Sequence, residues 1–181
     1  MYQTDLTETE WQYITKVLNL QERKRKYDLR LIWNAIFYLV KTGCQWRMLP
    51  LDFPKWQLVY YYYRKWASQL DFDLLLEKLR GHVRVKRGQS MEPSVKNILA
   101  DGGYRGELVD NIKKKFGYVI QVVISAYKEQ GFRPIQKRWI VERTFSWMDY
   151  NRRLCRNYEL TFDSAEEMVK LATIRLLLRK I

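Results

Sequence analysis

The fold class that the sequence predicts is α+β, mostly α, with an N-terminal helical domain over residues 1–90 and an α/β region with C-terminal helices over residues 91–181. Two observations predict it. Apolar residues recur at helical spacing through most of the first half. In the second half, two short apolar runs typical of strands flank a helical segment, and helical spacing then returns. The polar and basic stretch KRGQSMEPS, residues 86–94, marks the expected boundary.

Four helices are predicted in the N-terminal domain. The first, LTETEWQYITKVLNL, carries Thr7 and Glu10 at the spacing of a capping box. The second, DLRLIWNAIFYLVKTG, is apolar enough to be buried and is expected to end at Gly43. After the loop CQWRMLPLDFP, Pro54 can begin the third helix, PKWQLVYYYYRKWASQL, and FDLLLEKLRGHVRVKRGQ gives the fourth. Short connections and basic loops suit a helix-turn-helix-like DNA-binding domain, as they suit many other small helical domains.

The third helix has two contrasting faces. The residues expected to pack in the core are Trp56, Val59, Tyr60, Tyr63 and Trp66. The other face mixes aromatic and basic side chains, namely Tyr61, Tyr62, Arg64 and Lys65. Such a face either contacts a DNA backbone or is simply solvated, and its spacing does not distinguish the two.

The second half begins with a strand–helix–strand pattern. VKNILAD and YVIQVVIS are expected strands, and GELVDNIKKKFG between them is an expected helix that ends at Gly117, which predicts a parallel pair. RWIVERTFSWMDYNRRLCRNY is then expected to form one helix. In the last helix, SAEEMVKLATIRLLLRKI, Ser164 and Glu167 have capping-box spacing. The positions expected to pack inward there are Met168, Leu171, Ala172, Ile174 and Leu178.

The chain is strongly basic, with a formal net charge of +13. Both halves contribute, since residues 1–90 hold 16 basic and 9 acidic residues and residues 91–181 hold 17 and 11. Such a surface attracts polyanions, nucleic acid first, through phosphate neutralisation and counterion release. Ribosomal proteins and proteins of membrane surfaces can carry a similar charge.

Other classes of protein are disfavoured by composition. Cys44 and Cys155 are far apart and His82 is the single histidine, which argues against a disulfide, a zinc site or a histidine-based catalytic triad. Any metal chemistry would have to use carboxylates, which suit Mg²⁺ or Mn²⁺. The longest apolar run, residues 31–40, is too short to cross a bilayer, and the N-terminus has no signal pattern, so a cytoplasmic protein is expected.

Two acids are candidate site residues. Asp101 follows the strand-like run NILA and precedes two glycines, and Glu142 lies in the apolar context WIVERTF. Each also has a simple structural explanation. Asp101 can be a turn residue, and Glu142 can form a helical ion pair with Arg138, one turn before it.

Three segments carry a resemblance to a known family. ADGGYRG (100–106), RWIVERTFSWMDYNRRLCRNYE (138–159) and CQWRMLPLDFPKWQLVYYYYRKW (44–66) resemble bacterial insertion-sequence transposases of the IS-five group, which are of the DDE type. ATIRLLLRKI also resembles the C-terminus of that family. The resemblance implies a helical N-terminal domain that helps bind the terminal inverted repeats. It also implies an RNase H-like catalytic domain in which Asp, Asp and Glu hold two divalent metals, Mg²⁺ or Mn²⁺.

The resemblance assigns roles residue by residue. Asp101 matches the second Asp, Glu142 matches the Glu, and Arg138 matches the Arg four positions before that Glu. Asp149 stands where the family pattern often has a basic residue, although Arg152 and Arg153 are near. Two metals held by such acids can activate a nucleophile and stabilise the leaving oxygen in DNA cleavage and strand transfer.

One part of the family pattern is missing from the chain. MEPSVKNILADGGYRG passes directly from the segment that precedes the first Asp to the motif of the second Asp. The resemblance therefore implies an internal deletion that removes the first catalytic Asp and leaves a truncated RNase H-like core. Glu92 and Asp110 are weak substitutes. The missing acid argues against autonomous cleavage by this chain.

Two functions are compatible with this pattern. One is a transposase that binds the element ends for metal-dependent cleavage and transfer. The other is an inactive DNA-binding remnant that inhibits a full-length relative by occupying the ends or by forming mixed dimers; a homodimer is equally compatible. The expected contacts to double-stranded DNA are Arg23, Lys24, Arg25, Lys26, Arg64, Lys65, Arg138, Arg143, Arg152 and Arg153. A protein with no DNA partner is disfavoured by the charge.

Overall fold

The computed structural model describes residues 2–21, 24–91, 97–100, 106–122 and 138–181. The chain divides into two compact units. Unit 1 comprises Met1–Met91 together with Trp147–Ile181, and unit 2 comprises Glu92–Ser146. The DNA-binding domain over residues 1–90 and the catalytic domain over residues 91–181 remain predictions, because the compact units do not indicate a function.

Helix α1, Glu8–Leu18, begins with the predicted capping box. The Thr7 side chain accepts a hydrogen bond from the Glu10 backbone N–H at 3.2 Å. The Glu10 carboxylate in turn accepts one from the Thr7 N–H at 2.8 Å. Two backbone donors that the helix itself cannot satisfy are thereby paired. The capping-box prediction is confirmed here.

Helix α2, Leu29–Thr42, is the buried centre of unit 1, as its apolar sequence predicts. Asp28 caps its first turn through Arg30 N–H at 2.9 Å. Gly43 ends it at φ +69°, a left-handed conformation that favours glycine. A Cβ at Gly43 would also lie 3.1 Å from the backbone of Arg152, so a larger residue would require Arg152 to shift by a few tenths of an ångström.

The loop after α2 contains a short 3₁₀ turn at Trp46–Met48, and helix α3 follows at Trp56–Ser68. Val59, Tyr63 and Trp66 are buried as predicted. The prediction for Tyr60 is wrong, because 39% of that residue is exposed and its ring lies at the edge of the core against Trp46. Helix α4 then spans Asp71–Lys86, also as predicted.

In unit 2, the strand–helix–strand prediction is confirmed. β1 (Asn97–Ala100) pairs in parallel with β2 (Val119–Val122), and Asn97 is in register with Val119. Helix α5, Glu107–Phe116, joins them and ends at Gly117 in the left-handed conformation. Two short strands are too few to define an RNase H-like sheet among the described residues. That core remains a prediction.

The segment predicted as one helix after residue 137 is interrupted. Helix α6 spans Arg138–Asp149, and a short helix α7 spans Arg152–Cys155 after a break at Tyr150–Asn151. The division between the two units falls within α6, after Ser146. The mostly helical character predicted from the sequence is confirmed by these elements.

Helix α8, Phe162–Leu178, completes the core of unit 1. All five positions predicted to face inward, Met168, Leu171, Ala172, Ile174 and Leu178, are buried. The predicted capping box at Ser164 is wrong. The helix begins earlier, and the Thr161 side chain caps it by accepting from Ser164 N–H at 3.2 Å. Glu167 instead pairs with Lys170 at 2.9 Å.

Polar contacts fix α8 against the N-terminal helices. The Arg175 guanidinium donates to the Glu10 carboxylate at 2.8 Å, and both side chains are largely buried. The Lys170 ammonium lies 2.8 Å from Asp73 of α4. Burial alone would lower the pKa of Lys170, but its hydrogen bonds to Asp73, Glu167 and Glu166 raise it well above the ordinary value. Residues from both ends of unit 1 therefore form one packed body.

Within the described ranges, no helix is long and apolar enough to cross a membrane.

Candidate nucleic-acid interface

Of the predicted catalytic pair, Asp101 and Glu142, the structure describes only Glu142. Asp101 lies outside the described residues, as does Glu92. Glu142 lies on α6 with its side chain exposed, and Asp110 is exposed on α5. In the part of the chain that the structure describes, no three His, Cys, Asp or Glu side chains come together to hold a metal. The Mg²⁺ or Mn²⁺ site remains a prediction.

The basic residues near Glu142 lie on the same helix. Arg138 begins α6, and its side chain lies outside the described part of the structure. Arg143 is exposed, and its guanidinium lies 6.0 Å from the ring centroid of Trp139. Trp139 is itself 58% exposed, so this stretch of α6 presents aromatic and cationic groups together.

The basic segment after α1 forms part of a cleft. Arg23 lies outside the described residues, whereas Lys24, Arg25 and Lys26 are exposed. Lys24 and Arg25 line a cleft of about 590 Å³ that also includes Trp11 of α1. These cations have the exposure that a contact with a phosphate backbone requires.

The mixed face of α3 is exposed in the way the sequence indicates. Arg64 and Lys65 lie in solvent, and Tyr61 is 59% exposed. The Tyr61 ring meets Tyr62 edge to face at a centroid distance of 5.4 Å, which holds it at the surface. The structure leaves this face open to a partner.

Arg153, which the sequence predicts to contact DNA, is buried and bonds to other residues of the protein. It is 8% exposed, and its guanidinium forms an ion pair with Glu159 at 2.5 Å. A further N–H donates to the Cys44 carbonyl at 3.1 Å. Arg153 thus joins α7 to the loop that follows α2, and its donors are directed away from solvent.

The Arg153–Glu159 pair continues into a buried chain of hydrogen bonds. The Ser164 hydroxyl donates to Glu159 at 2.7 Å, and it lies 3.3 Å from the Tyr63 hydroxyl. Burial raises the pKa of the Tyr63 hydroxyl, although the contact with Ser164 opposes the shift. The chain links α3, α7 and α8, so it stabilises the fold that positions the exposed cations.

A second cleft brings together residues that are far apart in the sequence. It encloses about 360 Å³ and is lined by Lys41 of α2, Trp147 of α6, Tyr150, and Arg179 and Lys180 beyond α8. In the sequence, nothing distinguishes Lys41, Arg179 or Lys180 from ordinary surface cations. Their grouping depends on long-range packing.

Residues 6–76 match the family model described as "Putative transposase of IS4/5 family (DUF4096)". The matched segment extends from before α1 into α4 and includes the basic segment after α1 and the mixed face of α3. No curated protein and no solved structure matches the chain. The match supports a transposase-family protein.

Proposed function

We propose that this protein binds double-stranded DNA at the terminal inverted repeats of an insertion sequence. The observation that carries the proposal is the transposase-family match over residues 6–76, which contains exposed cations on two elements. Lys24, Arg25 and Lys26 follow α1, and Arg64 and Lys65 lie on α3. Exposed Lys and Arg side chains bind DNA by replacing the counterions of phosphates.

The family's reaction is metal-dependent strand cleavage and transfer. In this chain, Asp101 and Glu142 are the acids that would take part, with Mg²⁺ or Mn²⁺, and no residue matches the first Asp of the pattern. Residues that act as a unit lose most of their effect when one is removed. We therefore propose that the chain binds DNA but does not cleave it alone.

The alternative function follows from the same missing acid. A chain that binds element ends without cutting them would occupy the substrate of a full-length transposase, or would enter mixed dimers with it. Such a protein acts as an inhibitor or regulator. This role needs only the binding surface of unit 1 and no intact metal site.

Fluorescence anisotropy with a labelled duplex that carries the element ends tests DNA binding. We expect binding at low salt and an affinity that falls roughly 10³-fold between about 50 and 200 mM salt, as for about six phosphate contacts. A duplex of unrelated sequence should bind more weakly. Failure of the end duplex to bind at low salt would refute the proposed function.

A strand-nicking assay with Mg²⁺ or Mn²⁺ tests the proposed lack of cleavage. The wild-type protein and Asp101→Asn are expected to bind the end duplex equally and to leave it intact. Nicking at the ends by the wild type, abolished in Asp101→Asn, would show that the site works without the first Asp. That result would exclude the inhibitor as the sole function.

A further inference from the structure

The cleft lined by Lys41, Trp147, Tyr150, Arg179 and Lys180 combines three cations with two aromatic side chains. Its cations come from α2 and from the segment beyond α8, which are distant in sequence and adjacent in unit 1. Its aromatic walls come from the end of α6 and the residue that follows it. At about 360 Å³ it is large enough for a phosphate with its attached sugar.

The positive charge in this cleft is poorly neutralised. Lys41 Nζ donates to a backbone carbonyl, that of Tyr150, at 2.7 Å. Lys180 Nζ lies 5.3 Å from the ring centroid of Trp147. Among the described residues, Lys41, Lys180 and Arg179 form no ion pair with a carboxylate, and neither does Arg152, whose charge acts on Lys41. Arg175, which also lines the cleft, is by contrast paired with Glu10.

The cations are also close enough to repel one another. Burial lowers the pKa of the Lys41 ammonium, and the charges of Arg179 and Arg152 lower it further. Like charges held together cost folding free energy, and a bound anion removes that cost. Clustering of this kind is typical of sites that bind anions.

We propose that this cleft holds a backbone phosphate of double-stranded DNA, with Lys41 and Arg179 as donors and the attached deoxyribose against Tyr150 and Trp147. The inference rests on the proposed function and extends it. Arg179, Trp147 and Tyr150 lie outside the segment that matches the transposase family. The DNA-binding surface of unit 1 is therefore a composite of the N-terminal helices and the C-terminal residues.

The test compares the salt dependence of DNA binding in charge-neutral variants. Each lost phosphate contact lowers the slope of log affinity against log salt by about 0.9. Arg179→Gln and Lys41→Gln should each lower it, and the double variant should lower it by about 0.9 in all, because both cations contact the same phosphate. Lys78→Gln and Arg80→Gln, on the exposed face of α4, remove the same charge elsewhere and should leave the slope unchanged.

Lysine acylation, followed by mass spectrometry, provides a second readout that needs no variant. Bound duplex should protect Lys41 from a limiting amine reagent and should leave Lys78 reactive. Circular dichroism and thermal melting establish that each variant is folded, and Arg179, which is exposed at the end of α8, is the variant least able to disturb the core.

The outcomes separate the inference from the function it rests on. Lower slopes for the cleft variants alone, with Lys41 protected, support the cleft. Tight binding by the wild type, with the cleft variants equal to the α4 controls and Lys41 unprotected, overturns the cleft and leaves the proposed function standing. Absence of DNA binding by the wild type at low salt overturns both.

Discussion

Two neighbouring arginines, Arg152 and Arg153, differ in burial and therefore in the interactions that they can form. Arg152 and Arg153 have nearly the same sequence context, yet Arg152 is exposed and Arg153 is buried against Glu159 and the Cys44 carbonyl. A buried ion pair is expensive to break from one side, because the remaining charge is left without a partner. One arginine therefore serves stability, and the other is open to a ligand.

Arg153→Met is expected to lower the free energy of unfolding by about 3 kcal/mol, because Glu159 would stay buried without its partner. Urea unfolding measures the change. Arg152→Met is the matched control and should change stability by less than about 0.5 kcal/mol, as for most surface substitutions. It should instead weaken DNA binding. Equal destabilisation by the two variants would contradict the separation of roles.

The ionisation of Lys41 should respond to its neighbours. Its pKa in the folded protein is lowered by burial, then by Arg179 and Arg152, so the charged form costs stability at neutral pH. That cost begins to fall as the pH passes the folded pKa and is gone above the unfolded pKa. Arg179→Gln should raise the pKa of Lys41 and should not lower stability at neutral pH. NMR of methyl-labelled lysines, titrated to about pH 11, measures the pKa. If the pKa of Lys41 is the same in Arg179→Gln as in the wild type, Arg179 does not lie close to Lys41.

At the scale of elements, two similar motifs have different outcomes. Thr7 and Glu10 form a capping box, and Glu10 accepts from the Thr7 N–H through one carboxylate oxygen and from Arg175 through the other. Ser164 and Glu167 have the same spacing, but Ser164 bonds to Glu159 and Glu167 pairs with Lys170. Thr161 provides the cap instead. Capping-box spacing therefore marks a helix start where tertiary contacts leave the capping oxygens available, as they do at Thr7 and Glu10.

Thr161→Ala should therefore lower the free energy of unfolding by about 1 kcal/mol, the usual cost of losing an N-cap. Thr161→Ser keeps the hydroxyl and should cost much less. Thermal unfolding of the two variants beside the wild type measures the difference. If both variants match the wild type, the cap contributes nothing and the start of α8 is set by packing alone.

Local signals predicted most of the elements for physical reasons. Gly43 and Gly117 end helices because each adopts a left-handed conformation, and α8 showed its buried face through regular spacing. Long-range pairs could not be predicted from one sequence. Nothing local to Lys41 or Arg179 indicates that they face the same cleft, and nothing local separates Arg152 from Arg153. The predicted catalytic pair remains a prediction because Asp101 lies outside the described residues.

At the scale of the whole molecule, unit 1 depends on two separate stretches of chain. The helix α8 buries Met168, Leu171, Ile174 and Leu178 in the core that α1–α4 begin. Burial of such side chains contributes about 2 kcal/mol each. Their sum is comparable with the total stability of a typical domain, which is about 5–15 kcal/mol. The N-terminal helices alone would therefore lack much of their stabilisation.

A fragment of residues 1–91 is expected to lack a cooperative unfolding transition and to bind a hydrophobic dye. A peptide of residues 147–181, added in trans, should restore helicity and reduce dye binding. A peptide with Leu171→Asp and Ile174→Asp is the control, since it cannot bury its apolar face. Cooperative unfolding of the fragment alone would show that α8 is dispensable for the core. Far-UV circular dichroism with urea follows each case.

Unit 1 is built from two separate stretches of chain, so residues 92–146 are an insertion within it; unit 1 is the host of this insertion. The chain leaves the host after Met91 and re-enters it at Trp147. Insertions are tolerated where the host core is built from residues on either side of them. A gain or loss of strands within residues 92–146 leaves the core residues of the host in place. The length of residues 92–146 can therefore change while unit 1 keeps its core and the cleft that we assign to DNA phosphate.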